Sequence, residues 1–290
     1  MLISMGTQAQ NVTVYNSDGS VVNYPSDSVD YVDFSRVAAT NDADTAPITL
    51  AGKKWARWNL GAGKEHYYDF GWYTAWGEDY SFVDGNGDFD NPNDPAPSNR
   101  QSTQYSFVNL VLTSGMPNQL PGNGLVDVAT VRWGGTWRLP TRQDFEDLFE
   151  KCYWAFDDTQ VTSKGIPSPG YWVGSSKADT ELAVNDRLKK CIFLPCAGMA
   201  SNNSGDLNSS SIASNPYVGV GTQSYAMTSL IDRGTRGYYW TKTRGNESNH
   251  QYANAMGFVH YPNVDADNER WRFVDAILVS AGLTLRPVKD

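Results

Sequence analysis

The sequence predicts an α+β domain in which short strands do the structural work and helices are few. From Ile48 onward, apolar runs of strand length recur between long connections rich in Gly, Asn, Ser and Pro. Helical spacing is confined to a few short stretches, so the strands must supply most of the core. At 290 residues the chain can bury a sizeable core, as one large domain or two ordinary ones.

The first residues, MLISMGTQAQ, read as the remnant of a secretory signal: a short apolar piece, then Thr7-Gln8-Ala9 with small residues where a signal peptidase reads. Residues 11–34 alternate apolar and polar side chains around the turn dipeptide Asp18-Gly19, which predicts a β-hairpin, with a further strand over Val29–Phe34. Ser35 to Pro47 turns to Ala, Thr, Asn and Asp, the composition of a linker. The expected organisation is therefore a leader remnant at 1–10, a small β segment and linker at 11–47, and one domain at 48–290.

Within that domain the stretch Gly135 to Phe149, GTWRLPTRQDFEDLF, carries the clearest helix start. Trp137 and Leu139 belong to a core strand that Pro140 stops. Thr141 caps a helix and Asp144, three residues on, completes a capping box. Phe145, Leu148, Phe149 and Cys152 share one face, and the charged residues are expected on the other. A second helix is expected over Thr103–Leu112 and a helical turn near Asp179–Val184, while CIFLPC at 191–196 reads as a strand.

Composition limits function. The net charge of −9 is spread without basic clusters, which argues against nucleic acid as a partner. No window approaches the ~20 apolar residues of a membrane-spanning helix. The 10 Trp and 16 Tyr suit wet interfaces and stacking surfaces, and so favour a binding protein. A straight strand holds Cys191 and Cys196 about 17 Å apart, so any bridge within the molecule needs Cys152; otherwise the cysteines are small buried hydrophobes. His66, His250 and His260 lack metal-site spacing, and no nucleophile elbow, phosphate loop or dinucleotide fingerprint occurs.

An ordered set of motifs runs through the large domain: KKWARWNLGA at 53–62, FGWYTAWGE at 70–78, GGTWRLPTRQDFEDLF at 134–149, IFLPCAGM at 192–199, GYYWTKT at 237–243 and LTLRPV at 283–288. Together they resemble the Fibrobacter succinogenes major paralogous domain family, which is abundant in exported bacterial proteins and similar to the C-type-lectin-like fold. Residues 11–34 likewise look like an N-terminal segment common in exported Bacteroidetes-type proteins. The resemblance implies a domain whose first and last strands pair, with a helix following the first and long loops presenting a ligand surface. It implies no catalytic residues. The carboxylate-Pro-Asn and Trp-Asn-Asp triplets of calcium-dependent lectins are missing here, Tyr261-Pro262-Asn263 being the nearest piece, and the cysteines do not reproduce the copper site of formylglycine-generating enzymes.

Two stretches stand out as candidate sites. Asp84, Asn86, Asp88 and Asp90 alternate oxygen ligands as a calcium loop does, although Phe89 and Pro95 stand where an EF-hand wants Gly and Glu; a solvated acidic turn is the alternative. The stretch from Thr241 to Trp271 interleaves aromatic faces with directional hydrogen-bonding groups, which suits a sugar or a protein surface. Tyr252, Asn254, His260, Asn263 and Trp271 are the expected ligand contacts, while Tyr239, Trp240 and Phe258 have the alternative of simply filling core. The resemblance also admits a variable protein diversified by retroelements at Asn- and Tyr-rich positions of this region. The expectation is a non-catalytic, secreted or cell-surface binding protein for glycan or cell-surface protein, adhesin-like, with calcium as a candidate cofactor. A fimbrial or surface-assembly subunit is the alternative, and a glycoside hydrolase a more distant one.

Overall fold

The computed structural model describes residues 11–15, 21–25, 46–78, 117–122, 125–201, 229–245, 252–259, 273–279 and 281–290. The chain divides into two compact units, Met1–Ala39 and Thr40–Asp290, with the division inside the stretch read as a linker. In the first unit, β1 (Asn11–Tyr15) and β2 (Val21–Pro25) pair antiparallel, with Asn11 opposite Pro25 and Tyr15 opposite Val21, as the Asp18-Gly19 turn predicts. The strand expected over 29–34 and the helix expected over 103–112 lie outside the described residues.

The second unit is mixed α and β, with few helices and short antiparallel strands in small sheets. One sheet has the order β13-β4-β3, joining β3 (Ile48–Leu50) and β4 (Lys53–Trp55) to β13 (Val288–Lys289). Val288 stands opposite Trp55, so the domain's last strand is the hydrogen-bonded neighbour of β4, the second strand of its opening hairpin. A second sheet is β5 (Tyr153–Asp157), β6 (Gly170–Gly174) and β7 (Ile192–Pro195). β8 (Met199–Ser201) pairs with β9 (Ser229–Ile231), and the longest strands, β10 (Arg236–Arg244) and β11 (Tyr252–Val259), form a sheet with β12 (Phe273–Leu278).

Side chains alternate across a strand, and this last sheet has core on both faces. Tyr238, Trp240, Ala253 and Ala255 pack with Phe70, Tyr73, Trp76 and Leu283 on one side. Tyr239, Met256 and Phe258 pack with Trp55, Phe145 and Trp154 on the other. Gly237 lies opposite Phe258, and a Cβ there would drive into the phenyl ring, so the aromatic ring takes the space a side chain would need. Tyr239, Trp240 and Phe258 are thus core, the alternative already open for them.

Four helices are described. α1 (Val128–Trp133) was not expected from the sequence; α2 (Arg142–Lys151) was, and α3 (Lys177–Thr180) and α4 (Val184–Arg187) resolve the turn expected near 179–184 into two short helices. The Thr141 hydroxyl accepts from Asp144 N at 3.1 Å while the Asp144 carboxylate accepts from Thr141 N at 2.8 Å, the expected capping box. One expectation needs correcting: not every charge on α2 faces water. Asp144 is buried because its carboxylate also takes the Arg138 guanidinium at 2.7 Å, and Arg138 reaches on to Asp290 at 3.0 Å.

The motif residues nearest the centre form the frame itself. Arg286, fully buried, donates to Asn59 Oδ1, the Ala56 carbonyl and the Phe193 carbonyl at 2.8, 3.0 and 2.6 Å. Burial lowers its pKa to about 10, which still leaves it charged at neutral pH. All three cysteines are free, and burial pushes Cys152 up to about 11 and Cys191 and Cys196 up to about 12. They are protonated thiols in and around the core, neither nucleophiles nor thiolate ligands at neutral pH.

Candidate functional site

The expected ligand contacts begin on the β10–β11 hairpin. Arg244 stands opposite Ala253, Gly245 N donates to the Tyr252 carbonyl at 3.0 Å, and the register shifts between Trp240 and Arg244. Polar side chains hold that irregularity open. Asn254 Nδ2 donates to the Arg244 carbonyl at 2.8 Å, and Thr241 Oγ1 donates to the Asn254 carbonyl at 2.7 Å. Tyr252 is 7% exposed and Asn254 3%, so both sit inside the hairpin base. Asn254 thus uses its amide at the base from which the connection after Gly245 leaves.

His260, Asn263 and Trp271 lie outside the described residues, as do Asp84, Asn86, Asp88 and Asp90 of the candidate calcium loop. Where their segments join the frame is nevertheless fixed. Tyr252 opens β11 and is opposite Leu278, whereas the connection 260–272 runs from Val259 to Phe273 at the other end of the same strand pair. Seven residue steps at ~3.4 Å separate those ends by roughly 24 Å. Sequence proximity had grouped Tyr252 and Asn254 with His260 and Trp271; the sheet carries their anchor points to opposite ends.

The segment 79–116, which contains the candidate calcium loop, is anchored at the Tyr252 end. Before it, Trp76 N donates to the Val279 carbonyl at 2.9 Å and Trp76 Nε1 to the Thr241 carbonyl at 2.7 Å. After it, Arg244 N donates to the Asn118 carbonyl and Leu120 N to the Lys242 carbonyl. The helix start of α2 is tied to the same place, through Lys242 N to the Pro140 carbonyl and Arg142 N to Thr243 Oγ1. The stretch Gly135 to Phe149 is a frame: its cap, strand and charged pair hold the base from which two connections leave.

Buried carboxylates are also taken up by the frame. Asp127 caps α1 through Ala129 N and Thr130 N and accepts from Leu139 N through both oxygens. Burial raises its pKa in spite of those donors. Asp157 is pushed up by partial burial, but hydrogen bonds from Thr159, Trp172 and Gln160 outweigh this and hold it below the ordinary value. Asp69, buried, accepts from Ser163 N and Oγ at 2.7 Å each, with His66 Nδ1 at 3.3 Å. The carboxylate sits between serine and imidazole, so the imidazole cannot serve as base to that serine. Among the described residues, no three His, Cys, Asp or Glu side chains gather as a metal site would require.

Sequence reasoning missed Arg57, which follows β4 and lies with its guanidinium 4.7 Å from the centre of the Tyr67 ring. The signal was present in the motif KKWARWNLGA, where a cation sits between core tryptophans. No family model matches the chain, no curated protein matches it, and no solved structure matches it.

Proposed function

We propose that the protein is an exported, non-catalytic binding protein of the secreted or cell-surface kind, built on a C-type-lectin-like domain similar to the Fibrobacter succinogenes major paralogous domain family. Its ligand is a glycan, with a cell-surface protein as the other partner class. The observation that carries this reading is the pairing of β4 with β13, which closes a rigid frame and leaves long connections to meet a ligand. Such division of labour, with scaffold strands and recognition loops, is common in binding domains. Calcium is the candidate cofactor, through Asp84, Asn86, Asp88 and Asp90.

The test is a broad glycan array probed with the full chain, once with millimolar calcium and once with chelator. Saturable binding to a related set of sugars, weakened by Trp271→Ala, is the expected result. Loss in chelator would assign the calcium loop a part in recognition. A blank array in both buffers would sink the glycan reading, and concentration-dependent oligomers in the same sample would favour surface assembly.

A further inference from the structure

In a chain with a net charge of −9, cations gather where the residues after β4 meet the end of α4. Arg57 donates from Nη2 to the Leu188 carbonyl at 2.8 Å, and Leu188 is flanked in sequence by Arg187, Lys189 and Lys190. Three of these cations have an acid. Arg187 lies 3.4 Å from Asp157, Lys189 2.7 Å from Asp186 and Lys190 3.0 Å from Asp179. Arg57 has none among the described residues.

The Arg57 guanidinium is held over Tyr67 by its π face and at Leu188 by one hydrogen bond, so its plane is fixed before any ligand arrives. Its Nε is buried without a hydrogen-bond partner, and so is the hydroxyl of the neighbouring Tyr68. Gluing two loops together needs only the bond to Leu188 and the stacking contact. A planar, stacked guanidinium with no acid among the described residues suits a carboxylate, which it can grip in parallel through Nη1–H and the N–H of Nη2 not used at Leu188.

We propose that Arg57 anchors the carboxylate of an acidic saccharide, with Lys189 and Lys190 at the rim drawing it in. Those two ammonium-bearing side chains are 70% and 59% exposed, as long-range attraction requires. A saccharide fits better than a peptide because the only large apolar side chain exposed on α4 is Val184, too little to hold a peptide anchor. The proposal rests on the glycan-binding reading and narrows it to sugars bearing carboxylates.

The experiment is calorimetric titration of the full chain with oligogalacturonate and, in parallel, with a neutral galactose oligomer, at low and at physiological salt. Oligogalacturonate should bind, more tightly at low salt. Arg57→Gln should weaken it about tenfold or more, with Arg57→Lys intermediate because an ammonium cannot grip two oxygens at once. Lys177→Ala, on α3 and outside the run Arg187 to Lys190, should weaken binding less than the double change at the rim. If Arg57→Gln unfolds, Arg57→Lys and the double change Lys189→Ala with Lys190→Ala still decide, each expected to weaken binding several-fold. Equal affinity of wild type and these variants, or no binding of oligogalacturonate, overturns the inference. Neutral glycans bound equally by wild type and Arg57→Gln would leave the broader function standing without it.

Discussion

Arg286 shows what a single buried residue contributes to this frame. It reaches the 56–59 stretch and β7 at once, and all three of its observed acceptors are uncharged. Replacing it with Met keeps the volume but strands the carbonyls of Ala56 and Phe193 and the amide oxygen of Asn59. Each buried acceptor left unpaired costs about 1 kcal/mol or more, so Arg286→Met should lower unfolding free energy by at least about 3 kcal/mol in a urea titration. The tryptophans show the limit of reading composition at this scale. Trp55, Trp58, Trp76, Trp137, Trp154, Trp172 and Trp240 are all buried, and Trp72 carries the Arg132 guanidinium 5.0 Å from its ring centre. An aromatic excess that suggested stacking surfaces is, over the described residues, mostly core.

Among elements, α2 was legible and α1 was not, and the difference is physical. α2 announces itself locally, with Thr141 and Asp144 three apart and an apolar face after them. Thr141→Ala should therefore cost about 1 kcal/mol, read as a lowered midpoint in chemical denaturation, since only the cap is lost. α1, by contrast, is VATVRW, rich in β-branched residues that lower helix propensity. What makes it a helix is Asp127, which caps it while gripping Leu139 N from another segment, a contact no local pattern displays. The candidate site divides the same way. The motif GYYWTKT was visible, but which side chains of β10 and β11 face inward depends on cores on both faces of the sheet, so the burial of Tyr252 and Asn254 was not.

Across the whole molecule, the carboxylates set how the fold meets acid. Asp290 has a pKa held down by Lys53 and Arg138, and Asp157 by its hydrogen bonds against the effect of burial. A folded pKa below the unfolded value, about 3.9 for Asp, contributes stability that is present above that value and lost as pH falls through the folded one. Asp127 acts in the opposite sense, because its raised pKa makes the charged form costly and protonation relieves that cost. The depressed groups outnumber it, so unfolding free energy should fall below about pH 4, and Asp157→Asn should flatten that fall when denaturation is followed from about pH 7 to 3. The closing strand has a further consequence. Val288 pairs with Trp55, and the backbones of Ala56 and Leu60 donate to Pro287 and Leu285, so nearly the whole domain must be synthesised before β4 meets β13. Contacts so distant in sequence give a high contact order and slow folding, of the millisecond-to-second kind seen in strand-rich domains. Until Leu285 to Val288 emerge, Trp55, Ala56 and Leu60 lack the backbone partners that lock them in place, and the nascent domain has no keystone.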